Sequence, residues 1–209
     1  MEELKNNCAD FPDQYEKIVG GVEADLGEIP WQANLRQGGK ACGGIFLCDK
    51  FVLTAAHCVA RLDDSTRPIS LSTVVFGDHD LKIIEENQKA YEVQEIIIHS
   101  GFNWQTADND IAIIELKNPV EKNKFVKNAC LPKFEPEREQ GPFLISGWGT
   151  IAESGPSSDK LLKALVDLVP RSQCTRIYEE LDDTITDKMI CAARDGIDTC
   201  KGDSGGIQY

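Results

Sequence analysis

Long apolar runs are absent from the 209 residues. The longest uninterrupted stretch of isoleucine, leucine and valine is Ile96-Ile97-Ile98, far short of the roughly 18 residues a membrane-spanning helix needs. No apolar segment follows Met1, because Glu2, Glu3 and Lys5 come at once; a secreted form would have its signal peptide removed or outside this sequence. Basic residues are in deficit. With 22 Lys and Arg against 35 Asp and Glu, the formal net charge is -13, and a chain this acidic repels phosphate backbones, which counts against nucleic-acid binding. Histidine is scarce, at three residues, and neither C-x-x-C pairs nor the regular His/Cys spacing of a zinc finger occurs. The sequence has no internal repeat, no low-complexity tract and no long linker.

What is present describes a folded, strand-rich chain. Hydrophobic residues make up 41% and charged residues 27%, which excludes a disordered chain, a collagen and a coiled coil. The length allows one large domain or two small ones with a real core. Trp31 to Leu35, Gly44 to Leu47, Phe51 to Ala55, Leu71 to Phe76, Tyr91 to His99, Ile111 to Leu116 and Phe143 to Trp148 are rich in β-branched or aromatic residues. Clusters such as Gly38-Gly39, Gly77-Asp78 and Gly155-Pro156 punctuate them. Short strands at this spacing predict a barrel or a sandwich. The Leu, Ala and Lys content of Leu161 to Val169 predicts a helix on local propensity. After Pro170, Ser172 to Leu181 reads as a short helix with Ser172 as its N-cap. Asn118 to Glu139, with three prolines and mixed charge, reads as the connection between two halves.

The eight cysteines are Cys8, Cys42, Cys48, Cys58, Cys130, Cys174, Cys191 and Cys200. Their spacing leaves three readings: a metal cluster at Cys42, Cys48, His57 and Cys58, scattered reduced core thiols, or an oxidised extracellular framework. The last is preferred.

Chemistry concentrates near the end, in Asp198-Thr199-Cys200-Lys201-Gly202-Asp203-Ser204-Gly205-Gly206. A serine flanked by glycines suits a nucleophile. The glycines let a substrate carbonyl approach the backbone, and N–H groups around Ser204 can face a developing oxyanion. Alone, the same residues also describe an ordinary loop. A serine nucleophile requires a base, which a third group must orient. His57 follows the hydrophobic strand Phe51-Val52-Leu53-Thr54-Ala55-Ala56, and Asp110 opens the apolar run Ile111-Ala112-Ile113-Ile114. A carboxylate at the head of a buried strand is where an orienting group belongs.

These motifs, with Ile18-Val19-Gly20-Gly21, Pro30-Trp31-Gln32 and Ser146-Gly147-Trp148-Gly149, cover essentially the whole chain from Ile18 onward. In that order the chain resembles a trypsin-like (chymotrypsin-fold) serine protease, including the chain order His57, Asp110, Ser204. The resemblance implies an all-β fold of two six-stranded antiparallel β-barrels. It implies a propeptide over residues 1–17 and a peptidase domain over 18–209, with a first barrel at 18–117, a connection at 118–139 and an incomplete second barrel at 140–209.

The resemblance also implies roles. His57 would be general base and then general acid, Asp110 would hold its tautomer, and Ser204 would attack the scissile carbonyl. The N–H groups of Gly202 and Ser204 would form the oxyanion hole. Asp198 would lie at the base of the specificity pocket, where a buried carboxylate favours a Lys or Arg side chain, and Thr199 would add a hydroxyl. A solvated loop aspartate is the plain alternative for Asp198. Lys17–Ile18 would be the activation bond, with the freed Ile18 ammonium pairing with Asp203. Disulfides would join Cys42 to Cys58, Cys174 to Cys191, and Cys8 to Cys130, leaving Cys48 without a family partner. The family places Leu161 to Val169 on a strand, against the propensity reading. The loop Asp78 to Gln88 resembles the calcium loop of trypsins: Asp78 and Glu85 match carboxylate ligands, Asp80 and Ile83 match backbone ones, and Gln88 stands where another carboxylate is usual. No cofactor would be required, and a solvated acidic turn is the alternative to a structural calcium.

The sequence stops five residues after Ser204. Relatives continue, and supply the last strands of the second barrel, the far wall of the specificity pocket and the usual partner of Cys200. Two functions follow. One is a secreted endopeptidase zymogen cleaving after Lys or Arg. Its partners would be protein or peptide substrates, an activating protease and protein inhibitors, with no nucleic acid and no membrane span. The other is a non-catalytic protease homologue or truncated isoform that acts by protein binding.

Overall fold

Short stretches of alternating apolar and polar residues form strands, and these carry the fold. The computed structural model describes residues 21–37, 40–61, 69, 72–131, 142–149, 156–181, 184–194 and 207–208. In chain order the elements are β1 (Val22–Glu23), β2 (Gln32–Gln37), β3 (Lys40–Cys48), β4 (Phe51–Thr54), α1 (Ala56–Val59), β5 (Ser72–Phe76), β6 (Lys89–Ile98), β7 (Ala112–Leu116), β8 (Pro142–Gly147), β9 (Leu162–Val169), α2 (Arg171–Glu179), β10 (Cys191–Ala193) and β11 (Ile207–Gln208). No described helix is long and apolar enough to cross a membrane.

Strands β2 to β7 close into a six-stranded antiparallel barrel in the order β2-β3-β4-β7-β6-β5, with β5 bonded back to β2. Closure leaves these strands no free edge. β7 shows the period of two, burying Ala112, Ile114 and Leu116. β6 breaks it. Tyr91 and Val93 point inward and the next inward residue is Ile96, because the pairing with β7 shifts register between Val93 and Glu95. Such a bulge inserts an extra residue and bends the strand, which helps a barrel to curve. Phe46, Phe76 and Tyr91 meet tilted and edge-to-face through the centre, with successive ring centroids 5.2 and 5.7 Å apart.

The other strands form a five-stranded sheet, β1-β9-β8-β11, with β10 also on β9. β8 runs along one side of β9, while β1 and β10 lie end to end on its other side, at Leu162–Lys163 and Asp167–Val169. Among the described residues this sheet does not close. Its core gathers Ala24, Ile29, Trp31, Ala129, Leu144, Trp148, Leu161 and Leu165. β2 joins the two halves because both of its faces are buried. Ala33 and Leu35 enter the barrel core, while on the other face Gln32 Oε1 accepts the Ser146 hydroxyl of β8 at 2.8 Å.

Two local expectations fail. Leu161 to Val169 is not a helix; β9 occupies it, as the family resemblance implied. Helix propensity differs by only tenths of a kcal/mol per residue among Leu, Ala, Lys and Val, and pairing along both sides of β9 outweighs it. Ser172 is not an N-cap. α2 begins one residue earlier, at Arg171, after Pro170, and it has no side-chain cap. The Pro170 carbonyl accepts the N–H groups of Gln173 and Cys174 instead.

Candidate active site

The register between two strands creates the site. β4 and β7 pair with Thr54 opposite Ala112. The chain leaves β4 into the single turn α1, which carries His57, and Asp110 lies just before β7. Both side chains therefore emerge at the same end of one strand pair. Two ties fix α1: the Cys42–Cys58 disulfide, spanning a Cα–Cα distance of 6.2 Å, and the Thr54 hydroxyl donating to the Gly43 carbonyl at 2.8 Å. Close approach of β3 to β4 also needs Gly44, where a Cβ would meet Val52 Cγ1 at 3.0 Å and the Leu53 carbonyl oxygen at 3.1 Å.

Asp110 holds His57 at two points. Its Oδ1 accepts the His57 backbone N–H at 2.8 Å, and its Oδ2 lies 2.6 Å from ring Nδ1. An Nδ1–H given to the carboxylate leaves the Nε2 lone pair free to take a proton, which is the state a general base needs. The His57 side chain is 35% exposed and that of Asp110 24%, so the pair is open to a substrate but not fully wet. Burial is the largest single influence on the Asp110 carboxyl and works against its charge. Hydrogen bonds from the His57 ring and backbone, attraction to His57, and the Ala56 N–H together outweigh burial and hold the carboxyl below the ordinary aspartate range.

Ser204, Gly202, Asp203, Asp198, Thr199, Lys17 and Ile18 lie outside the described residues, as do Cys8 and Cys200. Just beyond Ser204, β11 pairs Ile207 with Ser146 and Gln208 with Ile145 on β8. The disulfides Cys42–Cys58 and Cys174–Cys191 are present. Cys130 is also disulfide-bonded, and Cys48 is a free thiol. A metal cluster at Cys42, Cys48, His57 and Cys58 is thereby overturned, since two of its sulfurs are spent on each other.

The carboxylates of the loop expected to hold calcium find hydrogen-bond donors on β2 and within the loop itself. The buried Asp78 carboxylate accepts Asn34 Nδ2 at 2.7 Å and Arg36 at 2.6 Å on one oxygen, and Gln88 Nε2 at 3.0 Å on the other. Glu85 Oε2 accepts the backbone N–H groups of His79 and Asp80 at 2.5 and 3.4 Å. The Asp80 carbonyl accepts the N–H of Ile83 at 3.2 Å. A calcium ion takes six to eight oxygen ligands, waters among them. With a guanidinium and two amides already on it, the Asp78 carboxylate is satisfied without a cation. Arg36 and Asn34 escaped the sequence reading because they sit more than forty positions away on β2; no local signal points to them.

A closed antiparallel barrel presents a carboxylate-held imidazole at one end, an arrangement with the geometry that the general-base half of a serine-protease site requires. The Trypsin family model matches residues 18–206, and the chain belongs to that family of trypsin-like serine proteases. Phenoloxidase-activating factor 3 of Holotrichia diomphalia is 35% identical over 232 aligned positions, which cover 97% of this chain and 64% of that protein. Ovochymase of Halocynthia roretzi is 38% identical over 199 positions, 91% of this chain and 12% of that one. Trypsin-1 of Astacus astacus is 35% identical over 196 positions, 90% of this chain and 81% of that one. The chain thus spans less than two thirds of the first two relatives.

Proposed function

We propose that this chain is a serine-type endopeptidase cleaving peptide bonds after Lys or Arg, made as a zymogen that cleavage at Lys17–Ile18 activates. The observation that carries the reading is the two-point hold of Asp110 on His57. Such a hold fixes the tautomer and orientation of the ring, so that its free nitrogen is aimed. In this reading Ser204 gives its proton to His57 Nε2 and attacks the scissile carbonyl, and the Gly202 and Ser204 N–H groups receive the oxyanion. Asp198, with Thr199 beside it, pairs with the substrate's Lys or Arg. Strands β8 to β11 are part of a second barrel, residues 140–209, that follows the 118–139 connection, with β1 adding to their sheet from the start of the peptidase domain, and residues 1–17 are the propeptide. Partners are protein or peptide substrates, an activating protease and protein inhibitors. Disulfides at Cys42–Cys58 and Cys174–Cys191 favour an oxidising, extracellular setting.

The test is covalent labelling. After cleavage at Lys17, a fluorescent organophosphonate should label the protein at Ser204, and a peptide library should be cut after Lys or Arg. Asp198→Ser should lose that preference. Labelling that persists in Ser204→Ala, or a dominant aromatic preference in the parent, would sink the reading.

The 78–88 loop works without calcium in this proposal, because Arg36 supplies the positive charge that a bound cation would. Chelation by EDTA should therefore leave the Tm within about 1 °C, whereas Arg36→Ala should lower it by about 5 °C or more by leaving the Asp78 carboxylate without its cation. A large EDTA shift in the parent protein, read by calorimetry, would return the loop to calcium.

A further inference from the structure

We propose that Thr186, on the segment between α2 and β10, is a positioning residue for Asp110, acting through the carboxylate of Asp108. The proposal rests on the protease reading above and assigns a part of its machinery to the other half of the molecule.

Asp110 follows a backbone that does not hold its shape by itself. Ala107 and Asn109 take φ of 52° and 53°, a left-handed conformation that the Cβ of an ordinary residue disfavours. Directly after them, the Ile111 N–H donates to the Asn109 carbonyl at 2.8 Å, closing a three-residue turn with Asp110 at its centre. Several bonds from the same loop brace this path. Asn109 Nδ2 donates to the Gly101 carbonyl at 3.0 Å and to Asp108 Oδ2 at 2.9 Å. The Asn103 N–H donates to the Asp108 carbonyl at 3.1 Å, and the Asp108 N–H reaches Thr106 Oγ1 at 3.4 Å.

One bond to Asp108 comes from the other half of the molecule. The Thr186 hydroxyl donates to Asp108 Oδ1 at 2.5 Å, a short, charge-assisted contact. Thr186 is itself well held. Its carbonyl accepts Arg171 Nη1 at 2.8 Å, while Arg171 Nη2 donates to the Met189 carbonyl at 2.8 Å. The Lys188 N–H approaches Thr186 Oγ1 at 3.3 Å, so the hydroxyl can serve as acceptor on one side and donor on the other. Arg171 opens α2, and the Cys174–Cys191 disulfide ties α2 to β10 on either side of the segment. A continuous set of contacts therefore runs from the five-stranded sheet into the loop that carries Asp110. The loop keeps its own internal bonds without Thr186; what Thr186 adds is a fixed point outside the barrel. An error of about 1 Å in the placing of a catalytic group can cost about 100-fold in rate, so the loss of that point should be felt in turnover before stability.

The experiment compares Thr186→Val, which keeps the shape without the hydroxyl, with Thr186→Ser, which restores the hydroxyl. In the activated enzyme Val should lower kcat by about 10- to 100-fold with KM within about twofold, and Ser should recover most of the loss. Proton NMR of the whole chain adds a readout that needs no turnover. The low-field His57 Nδ1 proton, hydrogen-bonded to Asp110, should shift or broaden in Val and return in Ser. An unchanged kcat with an unchanged resonance in Val overturns the proposal. So does a loss that tracks a fall in Tm and that Ser fails to rescue, since that marks a merely structural role. If the parent labels at no serine, the protease reading fails, and the resonance still decides whether Thr186 positions Asp110.

Discussion

Asp110→Asn should lower turnover about 10⁴-fold while leaving the fold in place; that magnitude is the one known for the best-studied member of this class. The geometry gives the reason. Asp110 accepts two N–H groups of one residue, the His57 backbone at 2.8 Å and ring Nδ1 at 2.6 Å. Asparagine has only one accepting oxygen. If it keeps the backbone N–H, its amide faces Nδ1 as a donor, and the ring must move its proton to Nε2. The lone pair that would take the serine proton is then gone. Stability should fall only slightly, by about 1 kcal/mol, because the site is partly exposed and one hydrogen bond is exchanged for another. Steady-state kinetics at neutral pH beside a thermal melt separates the two effects. A loss below about tenfold would mean that another group orients His57.

The same pair predicts an acid limit. The Asp110 carboxyl is held below its ordinary range in the folded state. Its ionised form therefore contributes stability that is fully present above the unfolded aspartate value and is lost as pH falls through the lower folded value. Holding of His57 by Asp110 should thus survive mild acid and fail only below the usual aspartate range. Asp110→Asn removes that dependence.

Asp203→Asn should leave a folded protein that is nearly inactive after cleavage at Lys17, and acetylating the new Ile18 amine should do the same. The motivation is the Lys17-Ile18-Val19-Gly20-Gly21 sequence together with Asp203 beside the serine. Before cleavage the Ile18 nitrogen is a neutral amide; afterwards it is an ammonium that, in the proposed activation, pairs with the Asp203 carboxylate. The chain that follows it is anchored close by. β1 is fixed to β9 at Val22 and Glu23, and the Ala24 N–H donates to the Leu161 carbonyl at 2.9 Å. The four residues from Ile18 to Gly21 can then carry the new terminus no farther than about 14 Å from Val22. Where an ion pair is buried, removing one partner typically costs about 3–5 kcal/mol, which converts to roughly 10²- to 10⁴-fold in the active population. Active-site titration of the cleaved protein reads this directly. Full activity in either form would mean that the chain is switched on by another route.

Local order was legible in the sequence. Each of the seven expected strands has an observed counterpart within a few residues, because alternation along a strand is a property of neighbours two apart. The β6 bulge shows the limit: Tyr91, Val93 and Ile96 look like a broken pattern until β7 lies beside them. β1 and β10, only two and three residues long, carry no pattern of their own and exist because β9 offers an edge. β9 itself was decided the same way, against a helix-prone composition.

The site divides along the same line. Order and motif named His57 and Asp110 as base and orienter, since the chemistry of a triad demands those residue types. Their meeting depends on the Thr54–Ala112 register, which only the closed barrel sets. Arg36 on Asp78 and Thr186 on Asp108 were beyond any reading of the chain, being 42 and 78 positions from their partners. Periodicity and motif are short-range properties that a sequence carries openly. Which carboxylate a distant guanidinium or hydroxyl finds is settled by how the barrel and the sheet pack, and that packing is a property of the whole chain.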